Sequence, residues 1–180
     1  MIIETSRLLL RPVTAEDIPT FFAIYGDPQT NLFNPRGPLP DIAAAQEKLN
    51  SWLREWPDNG YGHWAIAHNH QPDQIIGFGG LGIREGYENH RVFLGYRFAT
   101  TAWGKGLATE FASTALSTGF EKLGILRISA TVRENHLASQ RVLEKIGMQK
   151  VGFEGDPLHG TGSYLYRQTN PRTVSGPSFS

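Results

Sequence analysis

The chain has 180 residues, enough for one domain with a substantial core. Its 17 Lys and Arg balance 17 Asp and Glu, and a formal net charge of zero argues against a nucleic-acid surface while permitting a homodimer. With no cysteine, a disulfide framework, a thiolate nucleophile and a Cys-ligated metal site are all excluded. The N-terminus carries Glu4 and lacks a long apolar core, and no run approaches the ~20 apolar residues of a membrane span. A cytoplasmic protein with no membrane partner is expected.

Residues 5–12 read as a first strand, with Leu8 and Leu10 on one face and Arg7, Leu9 and Arg11 on the other. Thr14 can cap the helix that follows, where Glu16 and Asp17 suit the dipole. Ile18, Phe21, Phe22 and Tyr25 mark its buried stripe, and Gly26 is placed to end it. Residues 27–40 hold Pro28, Pro35, Gly37, Pro38 and Pro40 and read as a loop, either functional or a plain connector. Phe33 is its candidate substrate contact. Asp41 can cap a second helix to about Trp56, with Ala45, Leu49, Trp52, Leu53 and Trp56 at spacings of three and four. Such spacing predicts burial rather than a ligand box. Residues 57–60 should stop it.

Two strands, residues 63–67 and 74–81, flank a turn containing His68 and His70. No carboxylate spacing supports a metal site at these histidines, so no metal is expected. Gly77, Gly79, Gly80 and Gly82 leave room for a substrate across the second strand, or for barrel-like curvature. After a polar turn, residues 92–98 form a central strand. A further strand, residues 125–132, places Leu126, Ile128, Ala130 and Val132 on one face. The helix opened by residues 133–136 carries Ala138, Val142 and Ile146 on one face and ends at Gly147. Strands are expected at 148–153 and 162–168. The domain spans residues 1–168, and residues 169–180 read as a disordered tail.

The stretch 94–120 carries the chemistry. Between the central strand and a helix striped with Leu107, Phe111, Ala115, Ala108, Ala112 and Leu116 lies Trp103-Gly104-Lys105-Gly106. The glycines allow a sharp bend and close ligand approach, and the helix start offers unpaired N–H groups and a positive dipole end. Lys105 adds a mobile positive charge. A phosphate or pyrophosphate is the ligand this chemistry suits. The turn lacks the P-loop spacing, and a dinucleotide fingerprint would need Gly where Thr109 stands, although Glu134 follows the next strand.

The run 103–110 resembles the acyl-CoA pyrophosphate loop of the GNAT acetyltransferases, whose pattern Gln/Arg-x-x-Gly-x-Gly/Ala is met at Gly106 and Ala108. Trp103 stands at the usual Gln or Arg, as in the branch resembling the ribosomal-protein N-terminal acetyltransferases RimJ and RimL. The opening residues 4–18 and the run 134–148 resemble further parts of the same family, so the likeness reaches from Glu4 to about Arg167. The second motif, Asn-x-x-Ser-x-x-Val-x-Glu-Lys-x-Gly, is displaced here. Asn135 and Ser139 are four apart, so either one residue is accommodated or His136 takes the Asn position.

The resemblance implies an α/β (α+β) GNAT fold: a mixed, mostly antiparallel twisted sheet with a splayed strand pair and flanking helices. It implies acetyl-CoA as co-substrate, an amine acceptor and direct acetyl transfer. By position, Phe98 and Thr100 would contact pantetheine through the main chain, and Gly104, Lys105, Gly106, Leu107, Ala108 and Thr109, with Trp103, would hold the pyrophosphate. Asn135, His136 and Ser139 would line the cofactor. The Phe98 amide would face the thioester oxygen, and Ser139 would meet the departing thiolate or the cofactor, unless it only bonds at the helix start. Many relatives place a Glu at the position of Phe93. Glu85, Glu88, His90 and Glu154 are therefore the candidate bases. A catalytically silent acyl-CoA-binding module and a nicotinamide oxidoreductase remain alternatives.

Overall fold

The computed structural model describes residues 1–84, 87–88 and 91–174. Among these, eight strands form one mixed, mostly antiparallel sheet flanked by helices. The strands are β1 (Ile3–Glu4), β2 (Leu8–Pro12), β3 (His63–His68), β4 (Ile75–Ile83), β5 (Val92–Phe98), β6 (Arg127–Arg133), β7 (Gln149–Glu154) and β8 (Ser163–Thr169). The helices are α1 (Ile18–Tyr25), α2 (Ile42–Leu53), α3 (Glu55–Asn59), α4 (Leu107–Glu121), α5 (Leu137–Lys145) and the short α6 (Pro171–Val174). The strand order is β1-β2-β3-β4-β5-β6-β8-β7, antiparallel except where β5 meets β6. That order is not the doubly wound parallel sheet a nicotinamide enzyme would need. No described helix is long and apolar enough to cross a membrane.

Strand alternation divides the core into two layers. On one face Leu8, Leu10, Trp64, Ile66 and Leu81 pack with Phe111, Ala112 and Ala115 of α4 and Leu143 of α5. On the other, Ala65 and Phe78 pack against Phe21, Ile24 and Tyr25 of α1 and Ala45, Leu49 and Trp52 of α2. The anticipated stripes of α2 and α4 hold, and Asp41 caps α2 by accepting from the Ala44 N–H at 2.8 Å.

Local chemistry moves several boundaries. The expected strand over residues 5–12 starts only at Leu8, and Ile3–Glu4 form a separate short strand before it, because Thr5 turns the chain by donating its N–H to Leu8 O at 2.8 Å. Its hydroxyl also accepts from the Leu8 N–H at 2.9 Å. The second helix breaks at Arg54 rather than at Pro57, since Pro57 lies in the first turn of α3, where its missing N–H has no partner to lose. Gly60, at φ +79, closes α3. Leu126 is exposed and β6 starts after it. In α5 the buried residues are Gln140 and Leu143, with Val142 and Ile146 at the margin and Ala138 exposed. Thr169 completes β8 rather than starting a tail, and buried Asn170 donates to Phe120 O and Ile125 O, both at 3.1 Å. Residues 175–180 lie outside the described residues.

The β4 glycines are filled by protein rather than left open for substrate. A Cβ on Gly77 would stand 2.7 Å from the Phe98 ring, and one on Gly79 would stand 2.5 Å from the Phe111 ring and 2.9 Å from Gly95 O. A Cβ on Gly80 would collide with the Gly62 carbonyl of β3's approach. Close packing of α4 on the sheet centre therefore demands glycine. Gly79→Val should cost about 3 kcal/mol through overpacking, measured as a lowered urea midpoint with an unchanged m-value. An unaltered midpoint would contradict this packing.

Candidate active site

The turn between β5 and α4 is held in shape by its own side chains. Gly104 and Gly106 adopt φ +73 and +76, left-handed values that disfavour a side chain. The Trp103 indole donates to Phe98 O at 3.0 Å, and the Lys105 ammonium donates to Thr101 O at 3.0 Å. Lys105 is thus tied to the turn rather than freely mobile. From β2's approach, Arg7 Nη1 donates to Lys105 O at 2.7 Å. A trans peptide sets its C=O and N–H in opposite directions, so this bond turns the Gly106 N–H away from Arg7.

The consequence is a run of unspent donors. Among the described residues, the N–H groups of residues 104–109 reach no acceptor in the chain, and the next, Glu110 N–H, begins the helical ladder by donating to Gly106 O at 3.1 Å. Leu107 buries its side chain in the core, leaving only its backbone to a ligand. Six unspent donors on a turn with two left-handed glycines, at a helix start, fit a diphosphate.

Beside this turn the sheet opens. The register of β5 with β6 covers only Val92↔Ile128 and Phe93↔Ser129, while β6 continues with β8 as far as Arg133↔Ser163. Ala99 N–H donates to Ile76 O at 2.8 Å, so antiparallel alternation makes residues 93, 95 and 97 exchange bonds with β4. The N–H groups of Tyr96 and Phe98 therefore point to the opened edge. Of Phe98's backbone groups the carbonyl already accepts the Trp103 indole, which leaves the N–H. Thr100 lies in the exposed 3-10 turn beyond.

Across the opening stands α5. The Ser139 hydroxyl lies 3.0 Å from the Tyr96 hydroxyl. Burial pushes the Tyr96 phenol up to about 12, against a lowering by Ser139, so it is protonated at neutral pH. Position 136 rather than 135 caps α5; Asn135 is exposed, and the His136 ring stacks on Phe33 with centroids 4.0 Å apart and planes 9° apart. The fold thus joins the candidate substrate loop to the candidate cofactor segment. Burial and then the charge of Arg97 hold His136 below the ordinary histidine value.

The opposite face of β5 turns toward α1 and α2. Arg97, paired with Phe78 across the strands, donates to Asn31 Oδ1 at 2.6 Å and lies 4.6 Å over the Tyr25 ring. Arg84 donates to the Thr131 hydroxyl and lies 4.7 Å over the Phe93 ring. Phe93, at the usual Glu position, is buried beneath Arg84 and Tyr87. His63 stacks on Trp52 at 3.7 Å and pairs through Nδ1 with Glu55 at 2.7 Å. Glu154 accepts from the Tyr87 hydroxyl at 3.0 Å, and Glu88 is exposed. Glu85 and His90 lie outside the described residues. Among the described residues no three His, Asp or Glu side chains gather as a metal site.

Sequence reading missed Arg7, Tyr96, Arg84 and Arg97. Arg97 had a signal, since a charged residue two positions from glycine within an otherwise apolar strand is rare without a role. Arg7 had none, because its partners are about 100 residues away: Glu110 at 2.6 Å and Lys105 O.

Glu110 sits where a carboxylate would repel a bound diphosphate. Burial disfavours its charge, but the Thr5 hydroxyl at 2.6 Å, the Arg7 side chain at 2.6 Å and the Arg7 N–H at 2.9 Å outweigh that and hold it below the ordinary value. A depressed carboxylate stabilises the fold fully above the ordinary value of 4.5 and loses that contribution as pH falls through its folded value. Urea midpoints between pH 7 and 3 should therefore fall less steeply in Glu110→Gln than in the parent. Parallel profiles would contradict the assignment.

Comparison with known proteins agrees with this geometry. The sequence profile of the GNAT acetyltransferase domain matches residues 7–149. The chain is 30% identical over 164 residues to the uncharacterized N-acetyltransferase YoaA of Bacillus subtilis, covering 90% of each. Its fold is that of a GNAT-family acetyltransferase from Bacillus anthracis, with a TM-score of 0.79, 24% identity and coverage of 94% of this chain and 99% of that one. It is equally that of spermidine N-acetyltransferase from Vibrio cholerae, solved with CoA and spermine, with a TM-score of 0.79, 16% identity and coverage of 95% and 100%. The matching profile, the bared turn and the opened sheet lead to one conclusion: the chain belongs to the GNAT acetyltransferase family.

Proposed function

We propose that this acetyltransferase moves the acetyl group of acetyl-CoA directly to a primary amine, on a protein N-terminus or a small molecule, as a RimJ/RimL-like member of its family. The observation that carries the reading is the set of six unspent N–H groups at residues 104–109 beside the opened β5 edge. When bound there, acetyl-CoA supplies an activated thioester.

The chain's own residues account for the rest. The N–H groups of residues 104–109 anchor the diphosphate, and the β5 edge aligns the pantetheine arm as an added strand. The Phe98 N–H meets the negative charge that develops on the carbonyl oxygen. The amine nitrogen forms a bond to the acyl carbon as the carbon–sulfur bond breaks, and the sulfur departs with the electron pair. The Tyr96 hydroxyl, protonated at neutral pH and bonded to Ser139, delivers a proton to that sulfur. With no cysteine in the chain, no thioester to the enzyme can form.

The acceptor must arrive as a free amine, which an α-amino group reaches more readily near neutral pH than a lysine side chain. Buried Phe93 cannot take its proton. His136, lowered by burial and then by the charge of Arg97, joins Glu85, Glu88, His90 and Glu154 as a candidate base.

Thiol release from acetyl-CoA on addition of peptides, amino acids or other amines tests the reading. Tyr96→Phe should lower kcat about 100-fold with little change in CoA affinity, and Ser139→Ala should lower it less. An undiminished kcat in both variants would remove the pair from the chemistry.

A further inference from the structure

The side of β5 that faces α1 and α2 is charged in a way the neutral chain as a whole is not. Arg84 extends from the end of β4 across β5 at Gly95, where a Cβ would stand 3.7 Å from its Nη2, and donates to Thr131 on β6. Gly95 thus lets the Arg84 side chain lie close over the strand. Arg97 rises from the same face of β5 two residues further on, about 7 Å away along a strand. Both guanidinium groups rest on aromatic rings, Arg84 over Phe93 and Arg97 over Tyr25.

Their partners are neutral. Among the described residues Arg97 bonds the Asn31 amide oxygen and Arg84 the Thr131 hydroxyl, one bond each from groups that carry five N–H donors. Lys48 on α2 is exposed as a residue, but its ammonium lies over the Trp52 ring, 6.0 Å from the centroid. Desolvation there, with the charges of Arg97, Arg36 and Arg84, lowers it below the ordinary lysine value. Glu55 pairs with His63, and Glu154, which accepts from the Tyr87 hydroxyl, acts on Arg84 only through its field, with no ion pair between them among the described residues. Two buried-stemmed guanidinium groups, with no carboxylate bonded to either among the described residues, cost folding free energy unless a ligand offsets it. They also repel a polycation.

Resting on the acetyltransferase reading above, we propose that the acceptor carries, beside its amine, an anionic group that Arg84 and Arg97 bind across Gly95. A carboxylate and a phosphate both match a guanidinium fork. The Phe98 N–H, next in sequence to Arg97, lies on the opened edge, so an anion held at the arginines sets an amine a few bonds away toward the thioester. Small amino acids, acidic peptides with a free α-amine and aminoalkyl phosphates share this chemistry.

The test compares acceptors that differ only in charge, using thiol release from acetyl-CoA. One arm pairs amino acids with their amides, a second pairs phosphoethanolamine with ethanolamine, and a third uses spermidine. The anionic member of at least one pair should have a kcat/KM about 10- to 100-fold higher, and the arm that shows it distinguishes carboxylate from phosphate. Arg97→Gln and Arg84→Gln should shrink that ratio toward one, chiefly by raising KM for the anionic acceptor, with CoA affinity as the measure of folding. Arg97→Lys should restore part of it if Arg97→Gln disturbs the fold. Neutral amines or spermidine turned over as well as or better than the anionic partners would overturn the inference and leave the acetyltransferase reading intact. Failure to acetylate any acceptor, with CoA still bound, would overturn both.

Discussion

The orientation of one peptide unit governs the site. By accepting from Arg7, the Lys105 carbonyl is drawn toward the β2 side of the turn, and the Gly106 N–H must face the other way. Two left-handed glycines let the flanking units follow without a side-chain penalty. Glu110, which would otherwise oppose an anion at the helix start, is neutralised by the same arginine. One exposed cation thus shapes the donor set and cancels its nearest competitor.

From that anchor, strand β5 distributes the work. Its pairing with β4 is complete, so it is rigid along one edge, while early loss of β6 leaves the other edge open. Alternate residues then serve opposite purposes. Tyr96 and Phe98 face α4 and α5, where the phenol meets Ser139 and the Phe98 ring lies 6.4 Å from that of Phe111. Phe93, Gly95 and Arg97 share the other face, where Arg84 lies over Phe93 and Arg97 over Tyr25 of α1. The pleat of a single strand thus separates the Tyr96–Ser139 pair from the two arginines. The Phe33–His136 stack joins two segments distant in sequence.

Much of this was legible in the chain, for physical reasons. Periodicity exposed α2 and α4 because their buried faces obey a strict spacing, and Gly104 and Gly106 announced a turn only glycine enters easily. The bounds of β5 followed from its β-branched and aromatic residues. What failed to show depends on contacts between remote segments. Thr5 reads as a strand residue until its bonds to Leu8 and Glu110 are seen. The β4 glycines suggest room for a ligand until the rings of Phe98 and Phe111 are found filling it. Arg84 looks like the start of a polar turn, yet it crosses the neighbouring strand to Thr131.

The central claim is that the backbone N–H groups of residues 104–109 bind the diphosphate of coenzyme A. Amide NMR spectra recorded during a titration with coenzyme A address it most directly. The account predicts that these six amides show the largest downfield proton shifts of the assigned backbone, saturating together with binding. Saturation with those six resonances unmoved would contradict it.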